Sequence, residues 1–365
     1  MFGDASDRPQ TSARVRCLAF HADYGCQNTG VCCASGWEIP IEERVELAIR
    51  GRAHAATRLP NGPDGFKTAH DASPGCKSSL RRHEPSSSCW FRDPAESRCA
   101  IHREFGEDSL PSACRHFPRI CVLEPNGVSL SLSHYCPTAA AMLFENSGDF
   151  TMVEDPRGFP RSWPYEGLDA TTACSPFLRP GVLLGFDGLR AFEESALTSL
   201  SVGDVWASLS RIDSLVEGVR AWTPTGPAPP DLIRGLTEVT GSSSAFRLPA
   251  KDPRPALRRS LTPGTPVAVP LPDHTCGRPH VPDNVDLALR RYLAGRLIAA
   301  WVTYQADDLR AVAKYLHLCL DTVLLFQAAQ GSDGKEERGW KEAIRSADLW
   351  ILHYCDPELL ALNLR

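Results

Sequence analysis

Residues 17–37 read CLAFHADYGCQNTGVCCASGW, and residues 89–114 read CWFRDPAESRCAIHREFGEDSLPSAC. Ten of the 14 cysteines lie in the first 140 residues, most of them in these two stretches. Thiols clustered in this way in a reducing compartment more often carry metal or redox chemistry than disulfides. The alternative is a set of buried structural thiols, since free cysteine packs as a small hydrophobe. We predict that a metal site organises this region.

The spacing of the cysteines leaves the metal open. Soft thiolate ligands favour zinc or iron–sulfur clusters. The two short knuckles of a zinc ribbon do not occur, nor does the ferredoxin spacing Cys-x2-Cys-x2-Cys. His102 and His116 follow Cys99 and Cys114 closely and are candidate nitrogen ligands of a zinc site. The sequence therefore predicts thiolate ligation without choosing between zinc and iron–sulfur.

Composition indicates a soluble globular protein. The chain has 365 residues, of which 42% are hydrophobic and 23% charged. A net charge of -5 argues against nucleic-acid binding. Because no run of about 18 apolar residues occurs, we expect no membrane-spanning helix. The first residues lack the apolar core of a signal peptide, so we expect a cytoplasmic protein. We expect the four remaining cysteines to be buried structural thiols: Cys174, Cys276, Cys319 and Cys355.

Regular elements are sparse in the cysteine-rich region. A short helix is predicted over residues 41–50, after Pro40 and with acidic residues in its first turn. Residues 51–88 carry glycine and proline punctuation typical of loops. The alternation VSLSLS over 128–133 predicts a small strand, and PTAAAMLF over 137–144 predicts a helix.

The rest of the chain shows helical periodicity. Apolar residues recur at helical spacing within 181–222, and again in three stripes that begin at Val285, Leu309 and Trp340. Between these parts, residues 223–282 hold 13 of the 30 prolines, which predicts an irregular, partly mobile connector. We expect the tryptophans of the helical parts to be core residues.

These patterns predict a mainly α chain in which an irregular cysteine-rich metal-binding domain precedes a helical C-terminal part. The boundaries divide the chain into a disordered N-terminus (1–14), a cysteine-rich domain (15–145), a helical segment (146–222), a proline-rich connector (223–282) and a C-terminal helical bundle (283–365).

The cysteine-rich region resembles the YkgJ-type cysteine-cluster family, which is described as a zinc- or iron-chelating domain. The resemblance covers about residues 15–145. It lies in four motifs that follow one another along the chain: Cys-Cys with a following Trp, Cys-x-Ile-His, Cys-x2-Phe-Pro-Arg and Ser-Leu-Ser-His-Tyr-Cys-Pro. It implies eight ligand candidates: Cys17, Cys26, Cys32, Cys33, Cys89, Cys99, Cys114 and Cys136. One cubane cluster takes about four thiolates, so this number implies either a second metal or some structural cysteines. Cys76 and Cys121 fall outside the pattern.

Trp206 to Trp222, and the C-terminal helices that end in EAIRSADLWILHY with His353, resemble the helical remainder of flagellin lysine-N-methylases within that family. This similarity implies methyl transfer from S-adenosylmethionine to lysines of flagellin or another lysine-bearing protein, with a [4Fe-4S] cluster bound by the cysteine-rich region. The sequence shows no glycine-rich loop in a strand–helix context where S-adenosylmethionine would bind. Two alternatives stay open, a non-catalytic zinc- or iron-chelating module and an iron–sulfur redox protein.

Overall fold

The computed structural model describes residues 14–55, 59–68, 76–145, 148–161, 164–240, 252–263, 265, 267, 269–273, 281–330 and 336–365. The structure is about 49% helical, and the C-terminal part is helical as predicted. The predicted disordered N-terminus lies outside the described residues apart from Arg14, and so does Cys276.

A five-stranded mixed sheet forms the base of the N-terminal half. Its strands span Val15–Leu18 (β1), Arg119–Glu124 (β7), Gly127–Leu132 (β8), Met152–Glu154 (β9) and Leu168–Asp169 (β10). The strand order is β10-β7-β8-β1-β9. Strands β7 and β8 form an antiparallel hairpin, and β1 lies parallel to β8 with Cys17 opposite Leu130. The predicted strand at 128–133 is therefore confirmed as β8, displaced by one residue.

The segment between β1 and β7 folds into short elements around a small core of its own. The strands are Pro40–Glu42 (β2), Phe66–Thr68 (β3), Cys76–Leu80 (β4), Arg82–His83 (β5) and Ser88–Cys89 (β6), and the helices are Glu43–Ala55 (α1), Ala100–Phe105 (α2) and Ser112–His116 (α3). Strands β2, β4 and β3 form one sheet, and β5 and β6 pair separately. The predicted short helix is confirmed as α1. The loop prediction for 51–88 was wrong where these strands form, because strands of two to five residues carry no periodic signal.

The remaining helices pack into one large core. They span Pro137–Glu145 (α4), Phe186–Ser201 (α5), Val205–Arg220 (α6), Pro229–Thr240 (α7), Arg254–Arg259 (α8), Asp283–Leu297 (α9), Val302–Gln305 (α10), Arg310–Ala328 (α11), Glu337–Asp348 (α12) and Pro357–Asn363 (α13), with a π-helical turn at Leu349–Tyr354 and a small hairpin of Phe177–Arg179 (β11) and Val182–Leu183 (β12). The predicted helix at 137–144 is confirmed as α4. The three C-terminal stripes are buried along α9, α11 and α12. Trp340 and Trp350 lie in this core, and Trp206, Trp222 and Trp301 pack against it half-buried.

The proline-rich connector was predicted to be irregular, and this was wrong for two of its segments. Helix α7 begins with Pro229 and Pro230, and helix α8 carries a proline in its first turn. Proline is tolerated there because the first turn of a helix has no intrahelical partner for its N–H groups.

Helix α11 is long and apolar enough to cross a membrane by length and composition alone, and 83% of its most apolar window is buried inside the structure. The core helix of a soluble protein passes the same test.

Candidate metal centre

Five thiols from four separate segments converge beside the small N-terminal core. Cys32 and Cys33 lie in a 3-10 turn at Cys32–Ala34, Cys89 ends β6, Cys99 precedes α2, and Cys114 lies in α3. We call these residues the five-thiol site. Their neighbours in the small core include Ile41, Phe91 and Ile101. Short elements meeting on one apolar cluster thus bring together side chains that are up to 82 residues apart, from Cys32 to Cys114.

Cys33 is the hub of the five-thiol site. Hydrogen bonding with Cys32, Cys89 and Cys99, together with burial, raises the pKa of Cys33 well above its ordinary value. The same interaction lowers the pKa of each of those three thiols. Burial, and then the charges of Cys32 and Cys99, raise the pKa of Cys114. Cys33 therefore holds its proton more tightly than Cys32, Cys89 and Cys99 do, and its single S–H is available to only one of these sulfur atoms at a time.

The donor chemistry of the five-thiol site fits a thiophilic metal such as zinc or iron. Within the described ranges, no group of three or more His, Cys, Asp and Glu side chains is already arranged to hold an ion. All 13 described cysteines are free thiols. Metal binding would therefore require the sulfur atoms to draw together, with loss of the thiol protons.

Cys26 and Cys136 lie to one side of the five-thiol site. The charges of both Cys32 and Cys136 act on Cys26, which is exposed. The Cys136 sulfur lies 3.7 Å from the Tyr24 hydroxyl. Two of the eight ligand candidates are thus close to the five thiols without belonging to them.

Cys17, the remaining candidate, lies elsewhere. It is fully buried in β1, and its thiol donates to the carbonyl of Leu18 at 3.4 Å. Burial, with a smaller effect from Asp23, raises its pKa to about 12. Its prediction as a ligand stays a prediction, but the structure does not bring it to the five-thiol site.

The other cysteines divide between core and surface. Cys121 shares the buried core of Cys17, and Cys76 is half-buried in β4. Cys319 and Cys355 are buried, as expected of structural thiols, whereas Cys174 is exposed and the expectation for it was wrong.

His116 has an evident structural role. Its Nε2 lies 2.6 Å from the carbonyl oxygen of Pro164, and its Nδ1 lies 3.0 Å from that of Ser112. Nitrogen atoms engaged with carbonyl oxygens in this way are poor candidates for metal ligation. Arg119, in the Pro-Arg motif, donates from Nη1 to the carbonyl of Arg115 at 2.7 Å, which anchors the end of α3.

An aromatic wall separates the five-thiol site from the C-terminal helices. Trp37 contacts Phe117, Tyr135 and His353 at ring-centroid distances of 5.6, 5.5 and 4.6 Å. Tyr135 is close enough to Cys32 for that thiol's charge to act on it. Trp37 packs on both the small core and the large one. The wall therefore links the small core to the large one next to Cys32.

Arg82 is a neighbour of the thiols that the sequence did not indicate, because it falls within residues 51–88, whose pattern is typical of loops. Arg82 instead lies in β5, paired in register with Cys89 of β6. The thiols of Cys89, Cys33 and Cys114 all act electrostatically on its guanidinium. Only the pairing of two very short strands places it there, and neither strand has a pattern long enough to detect.

A second polar site that the sequence did not indicate is buried under the wall. The Nε2 atoms of His21 and His134 are 3.1 Å apart, and Asp348 accepts the backbone N–H of His134. Asp348 also accepts the Tyr292 hydroxyl at 3.0 Å and faces Arg296 at 3.6 Å. These side chains are fully buried, so the network ties the sheet to α9 and α12.

No family model matches the chain, and comparisons with curated proteins and with solved structures find no match either.

Proposed function

We propose that this chain is a thiolate-ligated metal protein and that the five-thiol site holds zinc or an iron–sulfur cluster. The observation that supports this proposal best is the convergence of Cys32, Cys89 and Cys99 on Cys33, with Cys114 beside them. A small buried core packs well with hydrocarbon side chains alone. Packing therefore does not require five thiols to meet, whereas metal ligation does.

A tetrahedral zinc site or one cubane cluster takes four thiolates. The hub arrangement favours Cys32, Cys33, Cys89 and Cys99 as ligands, with Cys114 as the alternative fourth. Bound zinc would supply a structural crosslink or a Lewis acid, and an iron–sulfur cluster would supply electron transfer. The residues of the chain hold the group, and the wall of Trp37 and Tyr135 lies next to Cys32.

The first experiment is analysis of iron, zinc and acid-labile sulfide in protein purified anaerobically, with a visible spectrum of the same sample. About four iron and four sulfide per chain, with broad absorbance near 400 nm, are expected of a cubane cluster. One zinc per chain without sulfide or colour is expected of a tetrahedral site. Protein that contains neither metal, and that takes up neither on reconstitution, would refute the proposal.

Serine variants locate the ligands. Cys33→Ser and Cys89→Ser should lose the metal, because each removes a thiolate at the five-thiol site. Cys121→Ser is the matched control for Cys89→Ser, since both thiols are buried in strands and Cys121 lies in a different core. Equal metal content in all three variants would place the metal elsewhere.

A finer proposal rests on the resemblance to the flagellin lysine-N-methylases: methyl transfer from S-adenosylmethionine to lysines of flagellin or another protein. It is tested with labelled S-adenosylmethionine and a flagellin substrate, under anaerobic conditions and with the metal content verified. Transfer by wild-type protein that Cys33→Ser abolishes is expected. No binding of S-adenosylmethionine and no transfer by fully loaded protein would remove this activity from consideration.

The second candidate is a non-catalytic module in which the metal acts as a staple. It is favoured by the short elements around the five-thiol site, where all strands have five residues or fewer. A segment so poor in regular structure gains much of its stability from metal, as small zinc domains do. It predicts tightly bound zinc and loss of local structure on chelation, without methyl transfer.

A further inference from the structure

In the part of the chain that the structure describes, two donor atoms of Arg82 are buried without a hydrogen-bond partner. Nη1 donates to the carbonyl of Ser87 at 2.7 Å. Nε and Nη2 are shielded from solvent, and within the described residues neither finds a hydrogen-bond acceptor. Leaving an N–H of a charged group buried and unpaired costs more than leaving a neutral one. Most buried polar groups are paired, so these two atoms indicate a missing acceptor.

The position of Arg82 identifies that acceptor. Arg82 pairs in register with Cys89 across the β5–β6 ribbon, and paired residues on adjacent strands project to the same face. The thiols acting on the guanidinium belong to Cys89, Cys33 and Cys114. Among the described groups that act electrostatically on the Arg82 guanidinium, Glu38 is the one carboxylate. Its side chain is exposed and already contacts Lys67 Nζ at 3.3 Å and Ser79 Oγ at 2.5 Å.

A metal-bound five-thiol site would carry a net negative charge, which calls for a positively charged neighbour. Four thiolates around Zn²⁺ carry a net charge of about -2, and the same holds for four thiolates around an oxidised cubane cluster. Burying an uncompensated charge is costly unless an opposite charge accompanies it. A guanidinium supplies one positive charge and a rigid fork of donors.

We propose that Arg82 is a positioning residue of the five-thiol site, which donates from Nε and Nη2 to metal-bound thiolate sulfur and balances part of the negative charge. This inference rests on the proposed function, because the acceptors are metal-bound thiolates. Arg82 thus interacts with the thiols. Its neighbour Arg81 is exposed at the surface, where it donates to the carbonyl of Asp64.

The test is anaerobic titration of the reduced full chain with Co²⁺, read by the sulfur-to-cobalt charge-transfer band. Arg82→Gln removes the charge, Arg82→Lys keeps the charge without the fork, and Arg81→Gln is the matched control. Loss of one hydrogen bond to a charged group predicts Co²⁺ affinity about ten- to a hundredfold weaker in Arg82→Gln. A smaller loss is expected in Arg82→Lys, and affinity within about twofold of wild type in Arg81→Gln.

The energy of the charge-transfer band separates a positioning role from a structural one. Hydrogen bonds to a thiolate lower the energy of its lone pairs, so the band should shift to longer wavelength in Arg82→Gln. Far-UV circular dichroism checks that the variant is folded. Unchanged affinity and band position in Arg82→Gln, while Cys89→Ser loses binding, would overturn the role of Arg82 and leave the proposed function intact. Wild-type chain that binds no Co²⁺ and takes up neither zinc nor an iron–sulfur cluster on reconstitution would overturn both.

Discussion

Arg296 and Asp348 are charged side chains that solvent does not reach, at 2% and 0% exposure. Burial raises the pKa of Asp348, but Arg296 and His134 outweigh it and hold the pKa below its ordinary value. The carboxylate is therefore ionised and also accepts the Tyr292 hydroxyl. The buried network consequently depends on one negative charge.

Asp348→Asn should destabilise the chain strongly, because it leaves the Arg296 guanidinium buried without a counter-charge. The expected loss is about 3–5 kcal/mol in the free energy of unfolding, measured by urea denaturation. Asp231→Asn is the control, since Asp231 forms an exposed pair with Arg234 and should change stability by less than about 1 kcal/mol. Equal effects in the two variants would contradict the role assigned to the buried pair.

His353 makes stability dependent on pH. Burial lowers its pKa to about 4, compared with about 6.5 in an unfolded chain. Between these values the unfolded state binds the proton and the folded state does not, so the free energy of unfolding should fall as pH decreases from 6.5 towards 4. The full effect of this residue is at most about 3 kcal/mol.

The measurement is urea denaturation of wild type and His353→Gln at several pH values. At pH 8 both side chains are neutral, so the difference there reports only lost packing and the lost hydrogen bond to Ser133. That difference should shrink towards pH 5. Parallel pH profiles would show that His353 does not contribute to the pH dependence.

The sequence shows that the cysteines cluster along the chain, but it does not show which of them meet in the fold. The spacing of the cysteines could not show that Cys33 lies in the five-thiol site and Cys17 outside it, because that depends on which core each side chain joins. Arg82 carried no signal at all, since its role comes from a cross-strand neighbour seven residues away. Asp348 and His134 are 214 residues apart, and no local pattern joins them.

Gly30 sets the position of the turn that carries Cys32 and Cys33. Its φ is +67°, and a Cβ there would lie 1.9 Å from the carbonyl oxygen of Ser97. The turn can therefore approach the segment before Cys99 only with glycine at this position. Cys99 completes the contact by donating its backbone N–H to Asn28 Oδ1 at 3.2 Å.

Gly30→Ala should lower the free energy of unfolding by about 2 kcal/mol or more and reduce metal content, through the clash with backbone and the positive φ. Gly235→Ala is the contrasting variant, because Gly235 lies in α7 and a Cβ added there would meet no atom within 4 Å. At that position alanine should raise stability by about 0.5–1 kcal/mol. Thermal unfolding checks both, and a stable, metal-replete Gly30→Ala would contradict the geometry described.

The elements that could be predicted are those with long periodic patterns. The buried stripe of α6, from Val205 to Val219, agrees with its helical spacing, and Asp204 caps the helix by accepting from the backbone of Trp206 and Ala207. Helix α7 was missed because prolines in a first turn look like a break. The strands of two or three residues were missed because tertiary contacts, not their own sequence, hold them extended.

The small core and the large core should respond differently to metal removal. The five-thiol site belongs to the small core of Ile41, Phe91 and Ile101, whereas the helices share a separate, much larger one. Chelation should therefore expose amides of residues 26–116 to hydrogen exchange and leave α9 and α11 protected. Retention of most of the far-UV helical signal is expected. Cooperative loss of all protection would show that the metal supports the entire fold.

The pairing of β1 with β8 has a consequence for how the chain is made. Arg16 and Ser129 are 113 residues apart, so β1 has no partner until the ribosome has released that much more chain. At roughly 5–20 residues per second, the delay is on the order of ten seconds. Because every cysteine of the five-thiol site lies inside this interval, the thiols emerge before the five-stranded sheet can close. The nascent chain thus offers its thiols to the surrounding solution, and to whatever metal is present there, before folding encloses them.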